Sequence, residues 1–183
     1  ESEALETLGA SVVARDACGT AVHIHPGYYE GGSNNGHDLA VLLGDLDEAA
    51  TVAARLKMPA SANAAALAVA AHDRWGHNAP TELAGEWLLL RWQASSRTLD
   101  LLSSETAFEG CYLATDGRRL AVAPDLVRLA RLPWVGAEFD RDVLMRTMGR
   151  SYLRASIGAR TILRGVTRVQ AGACITICTG GMR

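Results

Sequence analysis

The chain has 183 residues, of which 49 % are hydrophobic and 21 % charged, with a formal net charge of −2. That is material for one globular domain with an appendage, and enough apolar mass for a sizeable core. The near-neutral balance gives no electrostatic reason to expect nucleic acid or an anionic membrane surface as a partner, and no stretch approaches the roughly 20 apolar residues of a membrane span. No secretory signal is recognised, so a cytoplasmic protein is expected. Lys57 is the only lysine, and the excess of arginine reads as gene composition before it reads as function.

In chain order, residues 2–8 read as a short helix stopped by Gly9. "ASVVARD" and "TAVHIHP" alternate about the turn "ACG" and predict a hairpin. "GYYEGGSNNGHD" (27–38) is loop chemistry and the best place for disorder. "LAVLLG" (39–44) predicts a short buried strand. "DEAATVAARL" (47–56) predicts a helix with Asp47 and Glu48 in its first turn, barred from continuing by Pro59. "SANAAALAVAAHDRWG" (61–76) predicts a second helix, with Ser61 as N-cap and Gly76 beyond its end. Its apolar circumference suits a helix buried between layers.

Residues 79–85 read as a short helical turn. "EWLLLRWQ" (86–93) and "TLDLLSS" (98–104) pair about "SSR". "GCYLA" and "RLAVA" pair about "TDGR", whose Asp-Gly is a hairpin signal. Pro124-Asp125 opens a further helix, and Asp140 starts another over 140–149. Strands at "GVTRV" and "ACITICT" close the chain. Hairpins alternating with paired helices predict an α+β fold of antiparallel sheets rather than a doubly wound one.

The cysteines are Cys18, Cys111, Cys174 and Cys178. Cys174 and Cys178 share one strand face, without the turn a zinc knuckle needs, so buried reduced thiols are expected. His23 and His25 alternate on one strand and offer two metal donors with no third nearby. His72 and His77 bracket a helix end. Trp75, Trp87, Trp92 and Trp134 sit in strong element patterns and predict core packing. Arginines crowd the last third, at 128, 131, 141, 146, 150, 154, 160, 164 and 168, against an acid-rich start. The set reads equally as a surface for an acidic partner and as solvated helix faces.

The stretch "RWGHNAPTELAGEWLLLRWQASSRTLDLLSSETAFEGCYLATDGRRLAVAPD" resembles a pattern in asparagine synthetase-like proteins. The matches are Trp75-Gly76, Leu83-Ala84-Gly85, Trp87, Trp92 and Cys111-Tyr112-Leu113. Upstream, "LLGDLDEAATVAARL" is similar to the family's Asn-Gly-Glu turn and helix. Downstream, "TILRGVTRVQAGACITI" is similar to its Thr-Ile-x-x-Gly-Val ending. The likeness spans about residues 39–178 and is closest in flavour to the lasso peptide cyclases.

The resemblance implies an N-terminal-nucleophile (Ntn) hydrolase fold, an αββα sandwich of two antiparallel sheets flanked by helices, with class II glutamine amidotransferase ancestry. It implies a glutaminase-like domain over 1–135. Residues 136–183 would then be an extension packing on it and leading toward an ATP pyrophosphatase-type synthetase domain, in cis or on another chain. ATP and Mg would belong to that domain, and a precursor peptide is an implied partner.

Glutaminases of this class use an N-terminal Cys whose α-amine is the base, with donors aimed at the oxyanion. Here residue 1 is Glu1, and Cys18 sits in a turn. The oxyanion Asn corresponds to Leu43, which has no donor. Gly44 survives, and Asp45 replaces Glu. The acidic residue that grips the substrate amine falls near Ala64, and the Asp-Arg-x-Gly loop reads Ser104-Glu105-Thr106-Ala107. The expectation is a catalytically degenerate glutaminase-like domain of an amide-forming synthetase, with Gly44 and Asp45 as the remaining substrate-binding positions. It assigns no catalytic residue, cofactor or metal ligand to this chain. The alternative is a stand-alone interaction module on the same scaffold. "TGGMR" echoes the synthetase pyrophosphate loop, but reads as a glycine turn after a strand.

Overall fold

A computed structural model describes residues 11–15, 21–24, 32–34, 38–106, 111–116, 119–123, 125–149, 157–178 and 181–182. The expected helix over 2–8, Cys18, His25 and the turn at 117–118 lie outside them. The fold is α+β, and every strand pairing among the described residues is antiparallel. The chain divides into two compact units, Glu1–Phe108 with Ala171–Arg183, and Glu109–Gln170.

The first unit holds β1 (Ser11–Arg15) and β2 (Ala21–Ile24), which form the expected hairpin. It also holds a six-stranded sheet built from β3 (Gly32–Asn34), β4 (Leu39–Leu46), β5 (Gly85–Gln93), β6 (Thr98–Ser103), β10 (Cys174–Cys178) and β11 (Gly181–Met182). The spatial order is β11-β10-β6-β5-β4-β3. Strand β3 corrects the reading of 27–38 as loop throughout. Gly-Ser-Asn has no strand propensity of its own, but β4 offers it a free edge, and Ser33 pairs with Ala40.

The central strands are apolar on both faces, and both faces are buried. Ala40, Leu42, Trp87, Leu89 and Leu102 line one face and meet the helices in the main core. On the other, Leu39, Val41, Leu88 and Leu101 are each at most 3 % exposed. A run such as Trp87-Leu88-Leu89 has no polar alternate because neither face meets water.

Helices α1 (Ala49–Leu56) and α2 (Ala64–Trp75) cover the first of these faces. Asp47 and Glu48 precede α1 rather than occupying its first turn. Glu48 is its cap, in a left-handed conformation with φ 51°. For α2 the cap is Asn63, not Ser61. The Asn63 side chain accepts from the Ala66 amide at 2.7 Å. Ser61 belongs instead to a turn closed by the Ala62 amide on the Pro59 carbonyl, so the helix starts later. Ala65, Leu67, Ala68 and Ala71 form the buried stripe of α2, whose alanines allow close approach to α1 and β4. A 3-10 turn (Gly76–Asn78) and the short α3 (Ala79–Glu82) lead into β5.

The second unit has a three-stranded sheet of β7 (Tyr112–Thr115), β8 (Leu120–Ala123) and β9 (Val166–Arg168), in the order β8-β7-β9. Helix α4 (Leu126–Ala130) is capped by Asp125, whose carboxylate accepts from the Arg128 amide, as Pro124-Asp125 predicts. Helix α5 (Arg141–Gly149) follows Asp140, whose carboxylate accepts from the Val143 amide. Residues 138–140 run against 162–164 through the bonds Asp140 N to Ile162 O and Arg164 N to Glu138 O.

No helix among the described residues is long and apolar enough to cross a membrane.

Candidate functional site

Gly44 and Asp45 stand at the end of β4, both exposed, in register with Trp87 and Glu86 of β5. Gly44 has φ 84°, a conformation natural to glycine. Leu43, which the resemblance would set where the family has its oxyanion Asn, pairs with Leu88 and offers only hydrocarbon. Ala64 opens α2 with a methyl group.

The segment that the resemblance would set at the Asp-Arg-x-Gly loop serves the strand beside it. Ser104 Oγ accepts from the Trp87 amide at 3.2 Å, and the Ser104 amide donates to the Trp87 carbonyl. Thr106 Oγ1 donates to the Gly85 carbonyl at 2.6 Å. These hydroxyls brace the start of β5, and the exposed carboxylates of Asp45, Glu86 and Glu105 stand at this end of the sheet. Among the described side chains at this end there is no nucleophile–base pair.

A second constellation lies further along the helix-covered face, and sequence reasoning did not find it. Register sets Cys174 beside Leu102, and Arg91, Asp100 and Thr176 in one row across β5, β6 and β10. The C-terminal end of α2 and the 3-10 turn add His72, Asp73 and His77. His77 Nδ1 lies 3.0 Å from Cys174 Sγ. Thr176 Oγ1 donates to Asp100 Oδ1 at 2.7 Å. Arg91 pairs with Asp73 at 2.5 Å and stands 3.4 Å from His72 Nδ1.

The electrostatics of this cluster follow from burial. Asp100 is 6 % exposed and, among the described residues, accepts one hydrogen bond, from Thr176. Such a carboxylate costs stability unless something uses it. Burial lowers the pKa of His72 below its ordinary 6.5, with Asp100 opposing and Arg91 assisting. Burial, and then the Asp100 charge, raise that of Cys174. Burial and the Asp100 charge therefore both favour the protonated Cys174 thiol, which lies against the His77 ring. Cys111, in the other unit, is buried, and its thiol is pushed up to about 12 by desolvation.

Cys111, Cys174 and Cys178 are thiols rather than disulfides, Cys111 buried and the other two half-buried. Among the described cysteines the expected burial thus holds fully only for Cys111. Among the described residues no group of three or more His, Cys, Asp or Glu is placed to hold a metal ion. Trp87 is wholly buried, as core packing predicts. Trp75 and Trp134 each carry a guanidinium over the ring, from Arg55 at 4.7 Å and Arg119 at 5.1 Å. Of the clustered arginines, Arg128, Arg146, Arg160 and Arg164 are in ion pairs with acids of their own unit. Gly181–Met182 pairs back on Cys178 and Ile177, a strand that the glycine-turn reading of this segment did not include.

No protein-family model matches this chain, and no curated protein matches it in sequence.

Proposed function

We propose that this chain is the glutaminase-like domain of an ATP-dependent amide-forming synthetase, similar to the lasso peptide cyclases, and has lost glutamine hydrolysis. The observation that carries the reading is the end of β4. There Gly44 keeps a glycine conformation beside an exposed Asp45, while Leu43 offers no oxyanion donor. A six-stranded antiparallel sheet, helix-covered on one face and buried on both, supports the Ntn-type sandwich. In this reading the domain braces the synthetase domain, which supplies ATP and Mg chemistry. The exposed Gly44-Asp45 edge contributes to a groove for the precursor peptide.

Two measurements test it. The coding sequence that follows the Arg183 codon, or a chain that co-purifies, is expected to carry a Ser-Gly-Gly-x-Asp-Ser segment. The chain incubated with glutamine is expected to release no ammonia. Ammonia release abolished by Cys18→Ala would overturn the loss of glutaminase activity, and a native stop at Arg183 with no such partner would remove the synthetase.

A second reading, a stand-alone interaction module on the same scaffold, has its own support. In the second unit Met145 and Met148 are 70 % and 75 % exposed, with Val127 and Phe139 also outside the core. Large exposed apolar side chains become a protein contact where they are contiguous, and Met145 and Met148 lie one turn apart on α5. A native stop at Arg183 favours this reading.

A further inference from the structure

We propose that Cys174 and His77 form a nucleophilic thiol–imidazole pair that accepts acyl groups from neutral activated esters or thioesters. The inference is independent of the synthetase reading, which gives neither residue a role. Its basis is geometric. His77 Nδ1 is 3.0 Å from Sγ, within reach for direct proton transfer. His77 is exposed and Cys174 half-buried, so an acyl donor can reach sulfur from the open side. The contact joins two elements of one unit, the 3-10 turn after α2 and the start of β10.

The surroundings decide how the pair works and what it takes. Asp100, nearly fully buried, puts a negative charge close to sulfur and opposes a standing thiolate. The proton therefore leaves sulfur as the attack proceeds, with His77 as general base, rather than beforehand. The Asp100 carboxylate disfavours anionic donors such as acyl phosphates, and the one cation in its row, Arg91, is already paired with Asp73.

The step balances without a further reagent. The sulfur lone pair bonds to the acyl carbon, the S–H proton passes to Nδ1, and the bond from acyl carbon to the leaving oxygen or sulfur breaks. The leaving group then takes the proton from the imidazolium. The products are S-acyl Cys174 and a free alcohol or thiol.

The test uses the whole protein and p-nitrophenyl acetate, followed by release of p-nitrophenolate and by peptide mapping. One acetyl group is expected, on Cys174 in preference to Cys178 and Cys111, and Cys174→Ser removes the fast phase. His77→Gln, which keeps a polar side chain but takes no proton, is expected to slow acylation about 100-fold near neutral pH. Parent and variant rates should converge at alkaline pH, where hydroxide ionises the thiol directly. Acetyl phosphate should react more slowly than the neutral ester. Thermal unfolding of each variant checks the fold, and if His77→Gln is unfolded the decision passes to the parent protein. There, preferential acetylation of Cys174 over Cys178 upholds the pair, and equal labelling overturns it. An unchanged rate in folded His77→Gln overturns it as well.

Discussion

A β-carbon on Gly85 has no room beneath the carbonyl oxygen of Asp45. It would overlap that oxygen and lie 2.8 Å from the Asp47 nitrogen, both backbone atoms that cannot swing away. The φ of 118° is also foreign to side-chain-bearing residues. This close crossing holds the exposed end of β4 against the start of β5. We expect Gly85→Ala to cost at least about 2 kcal/mol, from strain and overlap together. Gly165→Ala, where φ is 74° but nothing lies within 4 Å, should cost about 1 kcal/mol. Urea denaturation of the two variants beside the parent measures both.

The α2 cap separates two residues that sequence alone treats alike. Asn63→Ala removes the acceptor for the Ala66 amide and should lower stability by about 1 kcal/mol. Ser61→Ala is exposed, caps nothing, and should change stability by less than about 0.5 kcal/mol. Equal losses in thermal unfolding would return the cap to Ser61.

Acid should release the second unit through Asp140 and Asp142. Both are held below the ordinary 3.8, Asp140 chiefly by its hydrogen bond from Arg160 and Asp142 chiefly by that from Arg146. A carboxylate whose pKa falls on folding binds its proton more readily in the unfolded chain, so it stabilises at higher pH. The contribution is complete above 3.8 and disappears as pH falls through the folded values. Arg160→Ala should therefore be less stable than the parent at neutral pH, with the gap closing in acid. Because Arg160 and Asp142 are exposed and Asp140 is only half-buried, high salt should also narrow it.

His72 should give a separate titration. Burial is the first cause of its lowered pKa, Arg91 and His77 add to it, and Asp100 and Asp73 oppose it. Folding favours the neutral ring, so protons bind preferentially to the unfolded chain. The stabilising contribution is full above 6.5 and is lost as pH falls toward the folded value. His72→Gln should flatten the fall in unfolding midpoint below pH 6.5. An unchanged pH profile in His72→Gln would assign the effect elsewhere.

Much of the architecture can be read from residue patterns, and the exceptions have physical reasons. Trp87 through Leu90 forecast a central strand because burial on both faces removes polar alternation. Asp125 and Asp140 forecast helix starts because each carboxylate has a free amide three residues on. Strand β3 escaped because Gly32–Asn34 pairs only as an edge against β4, a tertiary circumstance absent from the three residues. Ser61 misled because a turn closed on Pro59 captured it. The His77–Cys174 contact spans 97 positions in sequence. It depends on β10 joining β6 rather than another edge, which no local spacing encodes. Gly44 and Asp45 lie together at one exposed strand end, as neighbours in sequence must.

The six-stranded sheet receives β10 only after the chain has left through Ser104, traversed the second unit and come back at Gly172, whose amide donates to the Ser104 carbonyl at 2.8 Å. During synthesis, β6 must therefore emerge with one hydrogen-bonding edge unsatisfied and wait until Cys178 clears the ribosome. Premature truncation anywhere in that interval would leave an apolar ribbon open to other nascent chains. Solubility of shortened products should rise abruptly once the returning strand is included.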